Sequence, residues 1–161
     1  MSAAAANTAL PDALHALQQW AASERLGAPT LITQARIDAF AEATGDHNWI
    51  HVDAARAQAQ LPGGRTIAHG FLLLSLTVDE DVAVLSGFAG VSHALNYGLN
   101  KVRFLAPVPS GTQVRVRSQL VALEPRGPGQ WLLTQRKTVE RVPGDDVALV
   151  AEQLALVVLA G

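Results

Sequence analysis

The chain has 161 residues, a length that suits one domain with a hydrophobic core, and its formal net charge of −2 is unlike the basic excess of a nucleic-acid-binding protein. It has no cysteine, which excludes disulfide bonds, thiolate catalysis and cysteine-ligated zinc, and which fits a reducing cytoplasm. Charged residues make up only 16% of the chain against 49% apolar residues, so we expect another subunit to cover part of the surface.

The N-terminal third is predicted to be helical. Residues 1–10 read as a flexible, alanine-rich tail without the basic and apolar regions of a secretory signal. A helix is predicted from Pro11 to about Ser23 and is broken by Gly27-Ala28-Pro29. A second helix is predicted to begin after Thr33, a good N-cap, and to end at Gly45, where a glycine favours the left-handed conformation.

The rest of the chain predicts one enclosed helix followed by strands. After a short helix near residues 53–60 and a loop at Pro62–Arg65, the segment Phe71–Val78 is apolar on nearly every side, which is typical of an enclosed helix and too short for the ~20 residues of a membrane span. The predicted strands are Val91–Phe104, Thr112–Leu123, Trp131–Val142 and Val147–Leu159. Short links between strands, such as the predicted loop Pro125–Gly129, favour an antiparallel meander. Residues 1–161 are therefore predicted to form a single α+β domain, with an antiparallel sheet wrapped around a central helix.

The octapeptide Thr44–His51 concentrates side chains that suit proton transfer. It follows the second predicted helix and contains Asp46, Asn48 and the histidines His47 and His51. If Asp46 and His51 face one cavity, the carboxylate can orient a water molecule while the imidazole, whose ordinary pKa is about 6.5, accepts or returns a proton. The alternative is that Asp46 caps the next short helix and His51 is a polar core residue.

His47 and His51 also form an H-x-x-x-H pair, a spacing that binds metal when it lies on a helix. Gly45 and Asn48 disfavour a helix at this point, and no third ligand is evident in the sequence. No metal site is therefore predicted, and His47 is expected to face solvent or to lie beside the site.

The segment Ala68-His69-Gly70 precedes the predicted central helix. A helix begins with unpaired N–H groups and the positive end of its dipole, and Gly70 has no side chain to keep a ligand away from its amide. Such an amide stabilises the oxyanion that forms when a thioester carbonyl becomes an enolate. The alternative is an ordinary helix start with a glycine for packing. Similarly, Asn96-Tyr97-Gly98 either lines a pocket or belongs to a plain strand, and Lys101 and Arg103 either meet phosphates or are solvated.

Two motifs carry a family resemblance. They are residues 40–53, FAEATGDHNWIHVD, and residues 66–72, TIAHGFL. Together they strongly resemble the MaoC-like dehydratases, also called (R)-specific enoyl-CoA hydratases. The Trp-Ile variant of the first motif, with the segment 96–104, is most similar to the nodulation-protein-N-like branch. The resemblance extends from about Leu31 to Leu159.

The resemblance implies a hot-dog fold, a homodimer with sites near the interface, and reversible hydration of trans-2-enoyl-CoA to (R)-3-hydroxyacyl-CoA in lipid metabolism. It implies that Asp46 and His51 are catalytic and that the Gly70 amide holds the thioester oxygen. It implies no metal and no redox cofactor, because CoA is part of the substrate, and no nucleic-acid or membrane partner. The expected substrate-binding residues are Asn48, Trp49, His69, Asn96, Tyr97, Gly98 and Arg103.

The chain departs from the family pattern in two places, and two rival functions stay open. Trp49 stands where many members have proline and is expected to shape the acyl pocket, and Val78 stands where some hydratases have serine. A hot-dog thioesterase shares the fold, but its usual acidic base has no match in Phe71–Val78. A non-catalytic acyl-CoA-binding or regulatory module is the second rival.

Overall fold

The elements lie in a helix-rich N-terminal part and a strand-rich C-terminal part. The computed structural model describes residues 3–78, 85, 87–144 and 146–160. The helices are α1 (Ala3–Ala22), α2 (Gln34–Thr44), α3 (Trp49–Val52), α4 (Ala54–Gln60) and α5 (Gly70–Ser75), which a 3-10 turn (Leu76–Val78) extends. The strands are β1 (Arg25–Leu26), β2 (Thr30–Ile32), β3 (Val91–Phe104), β4 (Thr112–Gly127), β5 (Gln130–Val142) and β6 (Val147–Leu159).

The strands form one antiparallel sheet in the order β1-β4-β5-β6-β3, and β2 pairs with β4 beside β1. The predicted α+β antiparallel architecture is confirmed, but the predicted meander holds only for β4, β5 and β6. β3 pairs with β6 at one edge of the sheet, and β5 and β6 lie between β3 and β4. The link of residues 105–111 is long enough to cross the ~14 Å that two intervening strands occupy, so sequential strands need not be neighbours.

Two local predictions were wrong, and two short strands were missed. α1 begins at Ala3 rather than near Pro11, so residues 3–10 continue the helix, as the high helix propensity of alanine favours. β4 runs to Gly127 and shortens the predicted loop Pro125–Gly129 to a tight turn, because its last residues pair with β5. β1 and β2 were not predicted, since strands this short carry no measurable periodicity.

The helices and the sheet bury two groups of apolar side chains. One group surrounds α5 and joins Leu72 and Leu73 to Ile37 and to inward-facing residues of the sheet. The other joins Leu17 of α1 to the far end of the sheet. The central helix is less enclosed than predicted, because the side chain of Phe71 is 67% exposed. Within the described residues, no helix has the length and apolar character that crossing a membrane requires.

Candidate active site

The end of α2 places Asp46. Thr33 caps the start of this helix, since its hydroxyl oxygen accepts a hydrogen bond from the Arg36 amide at 3.2 Å. Gly45 ends it with φ +77°, and its N–H donates to the Ala41 carbonyl at 2.8 Å. Both predictions are confirmed. Asp46 is the next residue, and it is exposed at the start of the turn.

His51 lies on α3 with its imidazole buried. Its exposed fraction is 8%, and its Nδ1 is 2.7 Å from the carbonyl oxygen of Ile67. Because a carbonyl only accepts, Nδ1 carries the proton and donates it to this bond. The Nε2 atom of neutral His51 is therefore bare and can accept a proton. This is the protonation state that a general base at this position needs.

The backbone around Ile67 is itself fixed. The Ile67 amide donates to the Ile50 carbonyl at 3.0 Å, and the Ala68 amide donates to the Val108 carbonyl at 2.8 Å. Gln34 holds the His51 backbone, since its side-chain amide donates to the His51 carbonyl at 2.8 Å. The imidazole and the Ile67 carbonyl that accepts its hydrogen bond are therefore both on fixed backbone.

His69 was predicted to contact substrate, and its imidazole is buried against His51. Its exposed fraction is 2%, and the two imidazole rings stack with their centroids 3.8 Å apart. Its Nε2 is 2.9 Å from the carbonyl oxygen of Asp46. Phe40 of α2 packs on the same ring at a centroid distance of 5.0 Å. His69 therefore contacts both members of the predicted catalytic pair through buried atoms.

The structure brings Asp46, His51 and His69 together. One carboxylate oxygen of Asp46 and one imidazole nitrogen of each histidine all lie within 4.8 Å of one another. Asp46 is exposed, whereas both histidines are buried. A water molecule with hydrogen bonds of about 2.8 Å bridges two groups that are up to about 5.5 Å apart, so one water fits between the carboxylate and an imidazole. The same trio has the spacing of a metal site. The His47–His51 pair does not supply it, because His47 is half-exposed and lies 3.7 Å from Glu42.

Gly70 and His51 line one cleft of about 390 Å³, with Phe71, Phe104 and Pro107 among its walls. Gly70 is the first residue of α5, so its N–H has no partner within the helix. A Cβ atom at this position would lie 2.8 Å from two atoms of the Phe104 ring. Glycine is therefore needed for the close packing of Phe104 against the helix start.

The segment Asn96–Gly98 lines a second cleft of about 410 Å³ on the other side of Phe71. Its remaining walls are mostly apolar and include Leu74, Val78 and Leu99. At its polar end, the Gln153 side chain donates to Asn96 Oδ1 at 3.3 Å. Phe71 contributes to both clefts and separates the predicted catalytic residues from this apolar space.

Other predicted substrate contacts lie outside both clefts. Asn48 caps α3, and its side-chain oxygen accepts from the Ile50 amide at 3.5 Å. The Trp49 ring packs against the Arg56 guanidinium at 4.0 Å. Arg103 is exposed, and its guanidinium donates to the carbonyl of the preceding residue at 2.7 Å. These three side chains therefore contact other parts of the protein and do not line either cleft.

Sequence reasoning missed two contributors to the site. The Ile67 carbonyl selects the His51 tautomer. A backbone carbonyl is present at every residue, so the sequence does not show which one accepts this bond. Phe104 closes one wall of the cleft against Gly70, and the only signal for it was an apolar residue at the end of a predicted strand. Both depend on contacts between segments that are distant in the chain.

The surroundings of His51 set its pKa. Burial is the largest effect and lowers the pKa below its ordinary value, and His69 lowers it further. The hydrogen bond to Ile67 and the Asp46 carboxylate oppose this by favouring the charged imidazole. The net result is a lowered pKa, so His51 is neutral at neutral pH and available as a base.

Comparison with known proteins identifies the family. The profile of the MaoC like domain matches residues 18–140. The chain belongs to the MaoC-like family. This membership confirms the predicted family, the hot-dog fold and the enzyme class, which is that of hydratases and dehydratases.

Two relatives and one solved structure show how similar this MaoC-like chain is to known proteins. The 3-hydroxyacyl-thioester dehydratase Z of Mycobacterium tuberculosis is 48% identical over 136 residues, which cover 83% of this chain and 89% of that protein. Nodulation protein N of Rhizobium leguminosarum bv. viciae is 40% identical over 136 residues, which cover 83% and 84%. The structure of the (R)-hydratase from A. caviae involved in PHA biosynthesis matches with a TM-score of 0.70 and 24% identity, over 84% of this chain and 94% of that one.

The lowered His51 pKa predicts an NMR result. The imidazole of His51 will titrate below its ordinary value of about 6.5. Asp46→Asn will lower the pKa further, because the carboxylate favours the charged imidazole. Asp53→Asn is the matched control, since Asp53 caps α4 and both residue types cap well. A His51 pKa above 6.5, or one that Asp46→Asn leaves unchanged, would contradict this electrostatic account.

The same shift sets a pH dependence of stability. The folded pKa lies below the unfolded pKa, so the stabilisation associated with neutral His51 is fully present above about pH 6.5. It is lost as the pH falls through the folded pKa.

Proposed function

We propose that this MaoC-like protein is an (R)-specific enoyl-CoA hydratase that adds water reversibly to the 2,3 double bond of a trans-2-enoyl-CoA. One observation carries the proposal. The Asp46 carboxylate lies within 4.8 Å of an imidazole nitrogen of His51, a separation that one water can bridge, and Gly70 lines the same cleft as His51. The 48% identical relative, named a 3-hydroxyacyl-thioester dehydratase, supports the reverse reaction on the same substrate class.

In the proposed hydration, Asp46 orients the water and His51 removes its proton. The water oxygen bonds to C3 while Nε2 of His51 accepts one hydrogen, and the electron pair of the double bond moves toward the thioester carbonyl. The Gly70 N–H stabilises the negative oxygen that results. The proton then passes from the same site to C2, so hydroxyl and hydrogen are added to the same face. General acid–base catalysis contributes about 10²–10⁴-fold, and one oxyanion donor about 10²–10³-fold.

We propose that the acyl chain extends past Phe71 into the second cleft. This cleft adjoins the site, is mostly apolar and contains the predicted substrate contacts Asn96, Tyr97 and Gly98. Trp49, which was expected to shape this pocket, packs under Arg56 instead. Chain-length preference is thus proposed to depend on the walls of the second cleft.

The thioesterase alternative lacks a specific observation in its favour. The residues Gly70–Val78 of the central helix and its extension contain no carboxylate that could act as its base. A hydratase also needs no metal ion or redox cofactor for this chemistry, and we propose that none is used. The predicted cytoplasmic location stays a prediction.

An absorbance assay tests the proposed activity. Purified protein mixed with crotonyl-CoA will remove the enoyl-thioester absorbance at the same rate with and without a chelator. Asp46→Asn and His51→Gln will each lower kcat by about 10²–10⁴-fold, because each removes one group that holds the water. His47→Gln is the matched control, since the His47 side chain is half-exposed and its imidazole pairs with Glu42.

Other outcomes assign the rival functions. Release of free thiol from crotonyl-CoA would establish a thioesterase. Binding of enoyl-CoA by the wild type without turnover at any chain length would establish a non-catalytic module. Full rates in both Asp46→Asn and His51→Gln would contradict the proposed mechanism, and loss of the wild-type rate in chelator would show that the trio binds a required metal.

We also propose a homodimer formed through β3. This strand is at the edge of the sheet, where unpaired backbone groups are open to another strand. Large apolar side chains are exposed along this strand, at its C-terminal end and on α5 beside that end, which is unusual for a lone domain. They are Phe71, Leu95, Tyr97, Leu99, Phe104 and Leu105. Because Phe71 and Phe104 also line the first cleft, a second copy would complete the walls of the site.

Light scattering tests the dimer. The wild type will have twice the mass of the chain, and Leu95→Lys will have the mass of one chain because a charge would be buried in the interface. Val121→Lys, at an exposed apolar position on β4, is the matched control and will stay dimeric. A wild type with the mass of one chain would contradict the proposal.

A further inference from the structure

His69 is a buried histidine that the proposed reaction does not use as an acid or a base. Its Nε2 is 2.9 Å from the Asp46 carbonyl oxygen, which can only accept, so Nε2 carries a proton. Its Nδ1 is fully buried and has no hydrogen-bond partner among the described residues. A proton on Nδ1 would be a buried donor without an acceptor, which is unfavourable. The hydrogen bonding therefore places the ring proton of His69 on Nε2.

The two stacked histidines consequently have opposite tautomers. His51 holds its proton on Nδ1 for the Ile67 carbonyl, and His69 holds its proton on Nε2 for the Asp46 carbonyl. Among the residues that the structure describes, the titratable groups that contact His69 are His51, through the stacked ring, and Asp46, through its backbone carbonyl. The Phe40 ring also packs on His69.

The bond from His69 reaches the backbone of the turn that follows α2. Asp46 follows the left-handed Gly45 and is exposed, and its carboxylate accepts a 3.3 Å hydrogen bond from the Asn48 amide within its own turn. The contact from His69 ties the backbone of this turn to the start of α5. Through the stacked ring, the same side chain also supports His51.

We propose that His69 is a positioning residue that fixes the Asp46 carboxylate relative to His51 by donating from Nε2 to the Asp46 carbonyl. This role rests on the proposed hydratase function and replaces the predicted contact of His69 with substrate. The reaction then depends on a hydrogen bond to the backbone of a catalytic residue, made by a side chain that never touches the substrate.

Two substitutions separate the hydrogen bond from the fold. Glutamine places its amide nitrogen about where Nε2 of histidine lies, so His69→Gln keeps a donor for Asp46, whereas the shorter asparagine does not reach. Asparagine is also a good N-cap, and His69 occupies the N-cap of α5 without making a capping bond, so His69→Asn retains the helix start. We expect His69→Gln to keep at least a third of the wild-type kcat and His69→Asn to lose about 30-fold, with KM changed less than threefold.

A double variant distinguishes positioning from general disruption. If His69 acts through Asp46, His69→Asn will cost less than threefold in an Asp46→Asn background, because the group it positions is already lost. Equal losses in the two backgrounds, or equal rates for His69→Gln and His69→Asn, would overturn the proposal.

Nitrogen NMR of the wild type tests the tautomers without any activity. Long-range proton–nitrogen spectra at pH 7 will show a proton on Nε2 of His69 and on Nδ1 of His51, with each histidine assigned from the spectrum of its glutamine variant. A proton on Nδ1 of His69, or on both of its nitrogens, would overturn the proposal. If the tautomers are as expected and crotonyl-CoA is not turned over, the proposed function fails while the hydrogen bond stands.

Discussion

The hydrogen bond from His51 Nδ1 to the Ile67 carbonyl is the constraint on which the site depends. It selects the neutral tautomer whose bare Nε2 can accept a proton, and it fixes the ring in a buried position. Burial then lowers the His51 pKa, which keeps the base unprotonated at neutral pH. A carbonyl that moved freely would neither select the tautomer nor fix the ring. The Ile67 carbonyl is held in place because the Ile67 amide donates to Ile50 and the Ala68 amide donates to Val108.

The site joins segments that are far apart in the sequence. The turn after α2 supplies the carboxylate, and α3 supplies the base. The start of α5 supplies the Gly70 amide and the His69 side chain, which is hydrogen-bonded to the Asp46 backbone. Packing makes their distances small, and the ring of Phe104 from the edge strand closes the cleft against Gly70. In the proposed dimer, that same edge would bring a second copy to the open side of the cleft.

Local chemistry explains which features could be predicted from the sequence. Thr33 and Gly45 define the ends of α2 through capping and a left-handed turn, and these effects depend on neighbouring residues alone. The position of β3 beside β6 could not be read this way, because the crossing link has no pattern that specifies its partner. The burial of His69 could not be predicted either. A single histidine before a helix gives the same sequence pattern whether its side chain contacts a ligand or the protein interior.

The stereochemistry of hydration in heavy water tests the central claim most directly. If one water held by Asp46 and His51 supplies both new groups, crotonyl-CoA will give (R)-3-hydroxybutyryl-CoA with deuterium at C2 on the same face as the new hydroxyl. Chiral chromatography and proton NMR of the product read both centres. An (S) product, or deuterium on the opposite face, would contradict the account.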